Sequence, residues 1–90
     1  MAAAEISVSG RVQGIGYRYF AERAANALSI TGWTMNTPDG GVALDVEGER
    51  GAIEKLILEL KRGPRMAAVT GVNVMWKPYQ GRHQNFFIRV

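Results

Sequence analysis

Two stretches of this chain repeat apolar residues at helical spacing, and each lies between stretches in which apolar and polar residues alternate. That order limits the possible folds more than any other feature. Phe20, Ala21, Ala24, Ala25 and Leu28 stand one, three and four positions apart, which marks one face of a helix over residues 17–28. Ile53, Leu56, Ile57 and Leu60 follow the i, i+3, i+4, i+7 pattern of a second helix over 50–62, stopped by Gly63-Pro64. Ile6 and Val8 alternate with Glu5, Ser7 and Ser9 in a half-buried strand that ends at Gly10. Trp33 and Met35 alternate with Thr34 and Asn36, and Val42, Leu44 and Val46 alternate with Ala43, Asp45 and Glu47. Between these two strands lies Thr37-Pro38-Asp39-Gly40-Gly41, where proline presets φ and glycine supplies positive φ, so they form a hairpin. A fourth strand is expected over 69–76 and a short closing strand over 86–90, joined by a polar linker.

The order is therefore β-α-β-β-α-β with a terminal strand. It predicts an α+β, ferredoxin-like sandwich: two helices on one face of a four- to five-stranded, mainly antiparallel sheet. In that plan the first and second strands run the same way with the third between them. Their carboxyl ends, near Gly10 and Asn36, then share one edge of the sheet, with backbones roughly 10 Å apart. An arginine side chain and a bound phosphate would fill such a gap. The fold hosts many functions, so chemistry has to be sought in residues.

Composition narrows the classes. Residues 1–90 are expected to form one domain, and a chain of this size buries only about 60–65% of its unfolded surface. Hydrophobic residues are 47% of the chain, enough for two packed layers. There is no cysteine, which removes disulfides, thiolate nucleophiles and cysteine-ligated metals together and suits a reducing compartment. His83 is the only histidine and sits in the polar run Gln80-Gly81-Arg82-His83-Gln84-Asn85, where a solvated loop residue is expected. No metal and no cofactor are expected. Met1-Ala2-Ala3-Ala4-Glu5 is too short and too soon acidic for a signal peptide, and no apolar run approaches the roughly 20 residues of a membrane span. The expectation is a cytoplasmic monomer. Net charge is +3, and every acidic residue precedes position 60, while Lys61, Arg62, Arg65, Lys77, Arg82 and Arg89 follow it. Such a basic third would attract an anionic substrate, although a basic surface without a partner is the commoner case.

The segment joining the first strand to the first helix carries the most chemistry. Three glycines between Gly10 and Gly16 let the backbone approach a ligand closely. The first helical turn leaves N–H groups unpaired, and no Ser, Thr, Asp or Asn stands at the cap position between Gly14 and Tyr17. The second helix, by contrast, has Glu47 and Glu49 near its start. Free N–H groups at the positive end of a helix dipole make an anion cradle. Arg18 lies in that same turn, and its planar fork can hold two phosphate oxygens. The segment is not a dinucleotide fingerprint, since Tyr19 stands where a third glycine is needed, and no Gly-Lys-Ser/Thr makes it a P-loop. On its own a glycine-rich turn serves structure more often than chemistry. Asn36, at the opposite corner, can accept a hydrogen bond from water and donate one to a phosphate oxygen, or it can simply stabilise its turn. Arg11 and Arg23 read as surface charges.

Gly10-Arg11-Val12-Gln13-Gly14-Ile15-Gly16-Tyr17-Arg18-Tyr19-Phe20 closely resembles the signature of the acylphosphatase family. Gly32-Trp33-Thr34-Met35-Asn36-Thr37-Pro38-Asp39-Gly40 resembles that family's second signature, and Val46-Glu47-Gly48 and the ending Phe86-Phe87-Ile88-Arg89-Val90 also fit. Ile15 and Tyr17 depart mildly from the usual Val and Phe. The resemblance implies metal-independent hydrolysis of a small-molecule acyl phosphate to carboxylate and inorganic phosphate. It implies that Gln13, Gly14, Ile15, Gly16, Tyr17 and Arg18 form the phosphate-binding loop. Arg18 then binds the phosphoryl group, Asn36 orients the attacking water, and Thr37 supports Asn36.

Three rival readings differ in class. A nucleic-acid module would stack bases on sheet aromatics, yet the third strand has none and carries Asp45 and Glu47. Nucleic acid is therefore not expected as a partner. A ligand-sensing module without turnover would be expected to have lost Arg18 or Asn36. A domain of the kind found in carbamoyl-transfer maturation proteins would be one part of a longer chain.

Overall fold

The computed structural model describes residues 1–90, and in it the alternating and helical stretches become five strands and two helices. Their order is β1 (Ala2–Arg11), α1 (Tyr17–Ala27), β2 (Thr31–Asn36), β3 (Val42–Gly48), α2 (Arg50–Arg62), β4 (Ala68–Lys77) and β5 (Phe86–Ile88). The sheet runs β4-β1-β3-β2-β5. Neighbours are antiparallel except β5, which pairs with β2 in parallel through Gly32, Trp33 and Thr34. Both β1 and β2 are antiparallel to the β3 strand between them, so they run together as the sequence predicts.

Both helices cover the face to which Ile6 and Val8 of β1 and Val42, Leu44 and Val46 of β3 point. Ala21 and Ala25 of α1 and Ile53, Leu56 and Leu60 of α2 complete that core. Small residues on α1 let it lie close to the sheet. Each buried Leu, Ile or Val contributes roughly 1.5–3 kcal/mol relative to exposure, so this layer is the main source of stability.

Several boundaries differ from expectation. β1 starts earlier because Ala3 and Ala4, fully buried, pair with both neighbouring strands although they do not alternate in polarity. It also continues past Gly10 to Arg11. A bulge between Ser9 and Gly10 shifts the register, and Gly10 adopts φ 121° where a Cβ would meet the Ala68 carbonyl oxygen at 2.1 Å. β5 stops at Ile88, short of residue 90.

The open sheet face holds the largest departure. His83 is not solvated: its imidazole Nε2 lies 2.7 Å from an Asp45 carboxylate oxygen, with only 11% of the side chain exposed. Lys77 pairs with the same carboxylate. Glu47 does not cap α2 but accepts the backbone N–H groups of Gln80 (3.3 Å) and His83 (3.0 Å). The 78–85 connection is thus strapped across the sheet by two acids of β3. Burial by itself pushes the Asp45 carboxyl up, but hydrogen bonds from Lys77 and His83 outweigh it and hold Asp45 below the usual carboxylate range. A carboxyl depressed on folding stabilises the native state above its unfolded value, near pH 4, and loses that contribution as pH falls through the lower folded value. Acid unfolding of the wild type is therefore expected to gain steepness below about pH 4. Asp45→Asn should lack this dependence, so the wild-type minus variant stability difference narrows as pH falls below about 4, as read by urea titrations at several pH values.

Candidate active site

The first helix begins without help from any side chain. Its N-cap is Gly16 at φ 81°, ψ 18°, a left-handed conformation, and no side chain caps the turn. Gly14 is left-handed too, at φ 77°. The first helical bond is donated by Phe20 N to Gly16 O at 3.0 Å, and none of the backbone N–H groups from Gly14 through Tyr19 has a hydrogen-bond acceptor. These open donors lie beside the positive end of α1, where an anion is favoured.

Tyr17 is the inner anchor of this turn. It is 1% exposed, and its hydroxyl donates to Leu60 O at 2.7 Å, satisfying one of the carbonyls that the last turn of α2 leaves open. Burial pushes its phenol well above the ordinary tyrosine value. Its ring therefore belongs to the core, whereas Tyr19 stands 64% exposed at the rim. Tyr17→Phe is expected to cost about 1–2 kcal/mol of stability with kcat unchanged, comparing thermal melts with turnover.

Arg18, half-buried, makes one long hydrogen bond, from Nη1 to Arg89 O at 3.4 Å. The Arg89 segment is held in place by its own N–H, which donates to Thr34 O at 2.8 Å, and by its guanidinium, 4.7 Å over the Trp33 ring. Most of the Arg18 fork is thus uncommitted.

Asn36 ends β2. It pairs with Val42 of β3, which pairs in turn with Val8 of β1, so one row across the sheet links the two corners. Asn36 shares the helix-facing side with Thr34, and its amide oxygen is buried with no hydrogen-bond partner. Buried polar atoms are nearly always satisfied, so this oxygen calls for an explanation, as does Thr34 Oγ1, buried without a partner on the same side. Immediately after it, Thr37 builds the turn: Thr37 N donates to Gly41 O (2.9 Å), Gly40 N to Thr37 O (3.1 Å), and Gly41 N to Thr37 Oγ1 (3.1 Å). The Thr37 hydroxyl also donates to Asp39, and with the Gly41 N–H it holds that carboxyl below its ordinary range. Thr37 makes no hydrogen bond to Asn36; it fixes the backbone that follows.

The two corners are joined by Gln13. Its Nε2 donates to Thr37 O at 2.8 Å and to Gly41 O at 2.7 Å. Sequence reading placed Gln13 in the loop but assigned nothing to its side chain, because its partners lie 24 and 28 residues away. A shallow groove of about 410 Å³, bounded by Glu5, Ser7, Trp33, Asp45, Asn73 and Met75, is on the opposite face of the sheet and does not belong to this corner. Arg11 and Arg23 are exposed.

Comparison with known proteins decides the family of the chain. The family model Acylphosphatase matches residues 4–88. The chain belongs to the acylphosphatase family. An acylphosphatase of Salinibacter ruber is 43% identical over 82 residues, 91% of this chain and 86% of that one. The crystal structure of the acylphosphatase from Bacillus subtilis superposes with a TM-score of 0.96 at 33% identity, covering 100% of both chains. That of an acylphosphatase from Coxiella burnetii gives 0.92 at 35%, over 98% of this chain and 92% of the other. Acylphosphatases hydrolyse acyl phosphates, and the ferredoxin-like sheet with two helices on one face is the acylphosphatase fold.

Proposed function

We propose that the corner between the 12–16 loop and the β2–β3 turn hydrolyses small acyl phosphates as a positioning device, with Arg18 and Asn36 as its working side chains. The observation that carries this reading is the buried Asn36 amide oxygen without a partner, at the edge to which Gln13 ties the open N–H groups of the loop. The amides of Gly14, Ile15, Gly16, Tyr17 and Arg18 and the Arg18 fork hold the phosphoryl oxygens. The Asn36 oxygen accepts a hydrogen bond from water and aims it at phosphorus. Water adds to phosphorus, the bond to the acyl oxygen breaks, and its electron pair leaves on a carboxylate.

Little else is required. Carboxylate is a good leaving group, so no strong general acid is needed. A loose phosphoryl-transfer transition state is served mainly by orientation and charge stabilisation. The water proton goes to a substrate phosphate oxygen. His83, the single histidine, is committed to Asp45 on the opposite face, which accords with a kcat that does not follow a protein group titrating near neutrality.

The working unit on this reading is one domain over residues 1–90, acting as a monomer without nucleic acid. A cytoplasmic location rests on the cysteine-free composition. The deciding assay is benzoyl phosphate hydrolysis with chelator present, by the wild type, Arg18→Ala and Asn36→Ala. Wild-type rates in both variants would remove the assignment.

A further inference from the structure

We infer that Gln13 is a positioning residue for hydrolysis, the brace that sets the spacing between the phosphate loop and Asn36. This rests on the site reading proposed above. A single side-chain amide uses both its hydrogens on the two ends of one turn: Thr37 O, directly after Asn36, and Gly41 O. Those two bonds are the only hydrogen bonds between residues 12–16 and residues 36–41.

Neither carbonyl needs Gln13. Thr37 O already accepts from Gly40 N at 3.1 Å, and Gly41 O from Thr37 N at 2.9 Å. The turn is closed without the glutamine, and removing it orphans no backbone group. What the amide adds is a link between two pieces of chain that carry different halves of the reaction. One holds the phosphoryl group; the other holds water. Between them stands a loop with left-handed glycines at 14 and 16 and no side-chain cap, which has little rigidity of its own.

The inference predicts a split effect. Gln13→Met keeps the length of the side chain and removes both donors. Its kcat for benzoyl phosphate should fall roughly a hundredfold, the loss that follows when reacting groups are misplaced by about 1 Å. Affinity for inorganic phosphate should stay at the wild-type level, since Arg18 and the loop amides are intact, and the melting temperature should change little. A merely structural glutamine would instead lower melting temperature and active fraction together, with kcat per folded molecule preserved.

Gln13→Glu supplies the second arm within one protein. Its carboxylate would face two carbonyl oxygens and push the loop away, while the neutral acid can donate to one of them. Facing acceptors favours the neutral form, so the carboxyl should titrate above the ordinary value near pH 4.3. The charged group of the same turn is Asp39, which stays ionised through this window because Thr37 and Gly41 hold it low. Relative to wild type, the rate of Gln13→Glu should therefore rise as pH falls from about 7 toward about 5. Wild-type kcat in Gln13→Met, or a Gln13→Glu to wild-type ratio that does not move with pH, would overturn the brace. If Gln13→Met does not fold, the pH ratio decides. Arg18→Ala and Asn36→Ala in the same assay separate the causes: their full activity would sink the site reading, whereas their loss beside an active Gln13→Met sinks the brace alone.

Discussion

Arg18→Ala is expected to lower kcat/KM for benzoyl phosphate by roughly 10³-fold or more, the scale on which an arginine stabilises a transferring phosphoryl group. The structural cost should be small. Its guanidinium has five donors, and one of them makes a single 3.4 Å bond to Arg89 O. Losing one long, partly exposed bond changes stability by about 0.5 kcal/mol or less. Phosphate inhibition should weaken together with turnover, since the same fork holds ground state and transition state. Arg18→Lys should recover only part of the loss, because an ammonium restores charge but not the two-pronged geometry. Steady-state kinetics with inorganic phosphate as competitor read all three effects, and unchanged phosphate inhibition in Arg18→Ala would remove Arg18 from the cradle.

Asn36→Ala should lower kcat by roughly 10²–10³-fold with phosphate affinity retained, as expected when one polar group that acts in the transition state is deleted. The accompanying stability change should be small. The Asn36 amide oxygen accepts no hydrogen bond from another protein group, so its removal orphans no donor. A variant that melts at about the same temperature while losing turnover is the signature of a residue kept for chemistry. A clear fall in melting temperature with kcat intact would instead make Asn36 a structural asparagine of the turn.

Much of the architecture is legible along the chain because it follows local periodicity. Ile53, Leu56 and Leu60 announce α2 by spacing and are all buried as that spacing requires. The Thr37-Pro38-Asp39-Gly40 turn is written in residues whose φ preferences are intrinsic. Elements that depend on distant partners are not legible in this way. His83 lies in a run of polar residues, and nothing near it in sequence announces Asp45, 38 positions back. Asp45 and Glu47 alternate as an exposed face of β3 would, yet both are buried because the 78–85 connection folds over them. Arg18 and Asn36 could be placed at one sheet edge from strand order. The glutamine that joins their two segments could not, since a side-chain amide reaching two backbone carbonyls leaves no periodic trace.

The parallel pairing of β5 with β2 has a kinetic consequence. Arg18 meets Arg89 across 71 residues, so the corner is finished by the joining of segments far apart in the chain. Contacts of such long range are entropically late, because the loop must close before the contact rewards it. During synthesis the cradle, the water-orienting amide and the brace between them would all have emerged while the strand beside them was still missing. Catalytic competence should therefore arrive in one step with the last strand, as a report on completed folding and not on the emergence of the residues that do the chemistry.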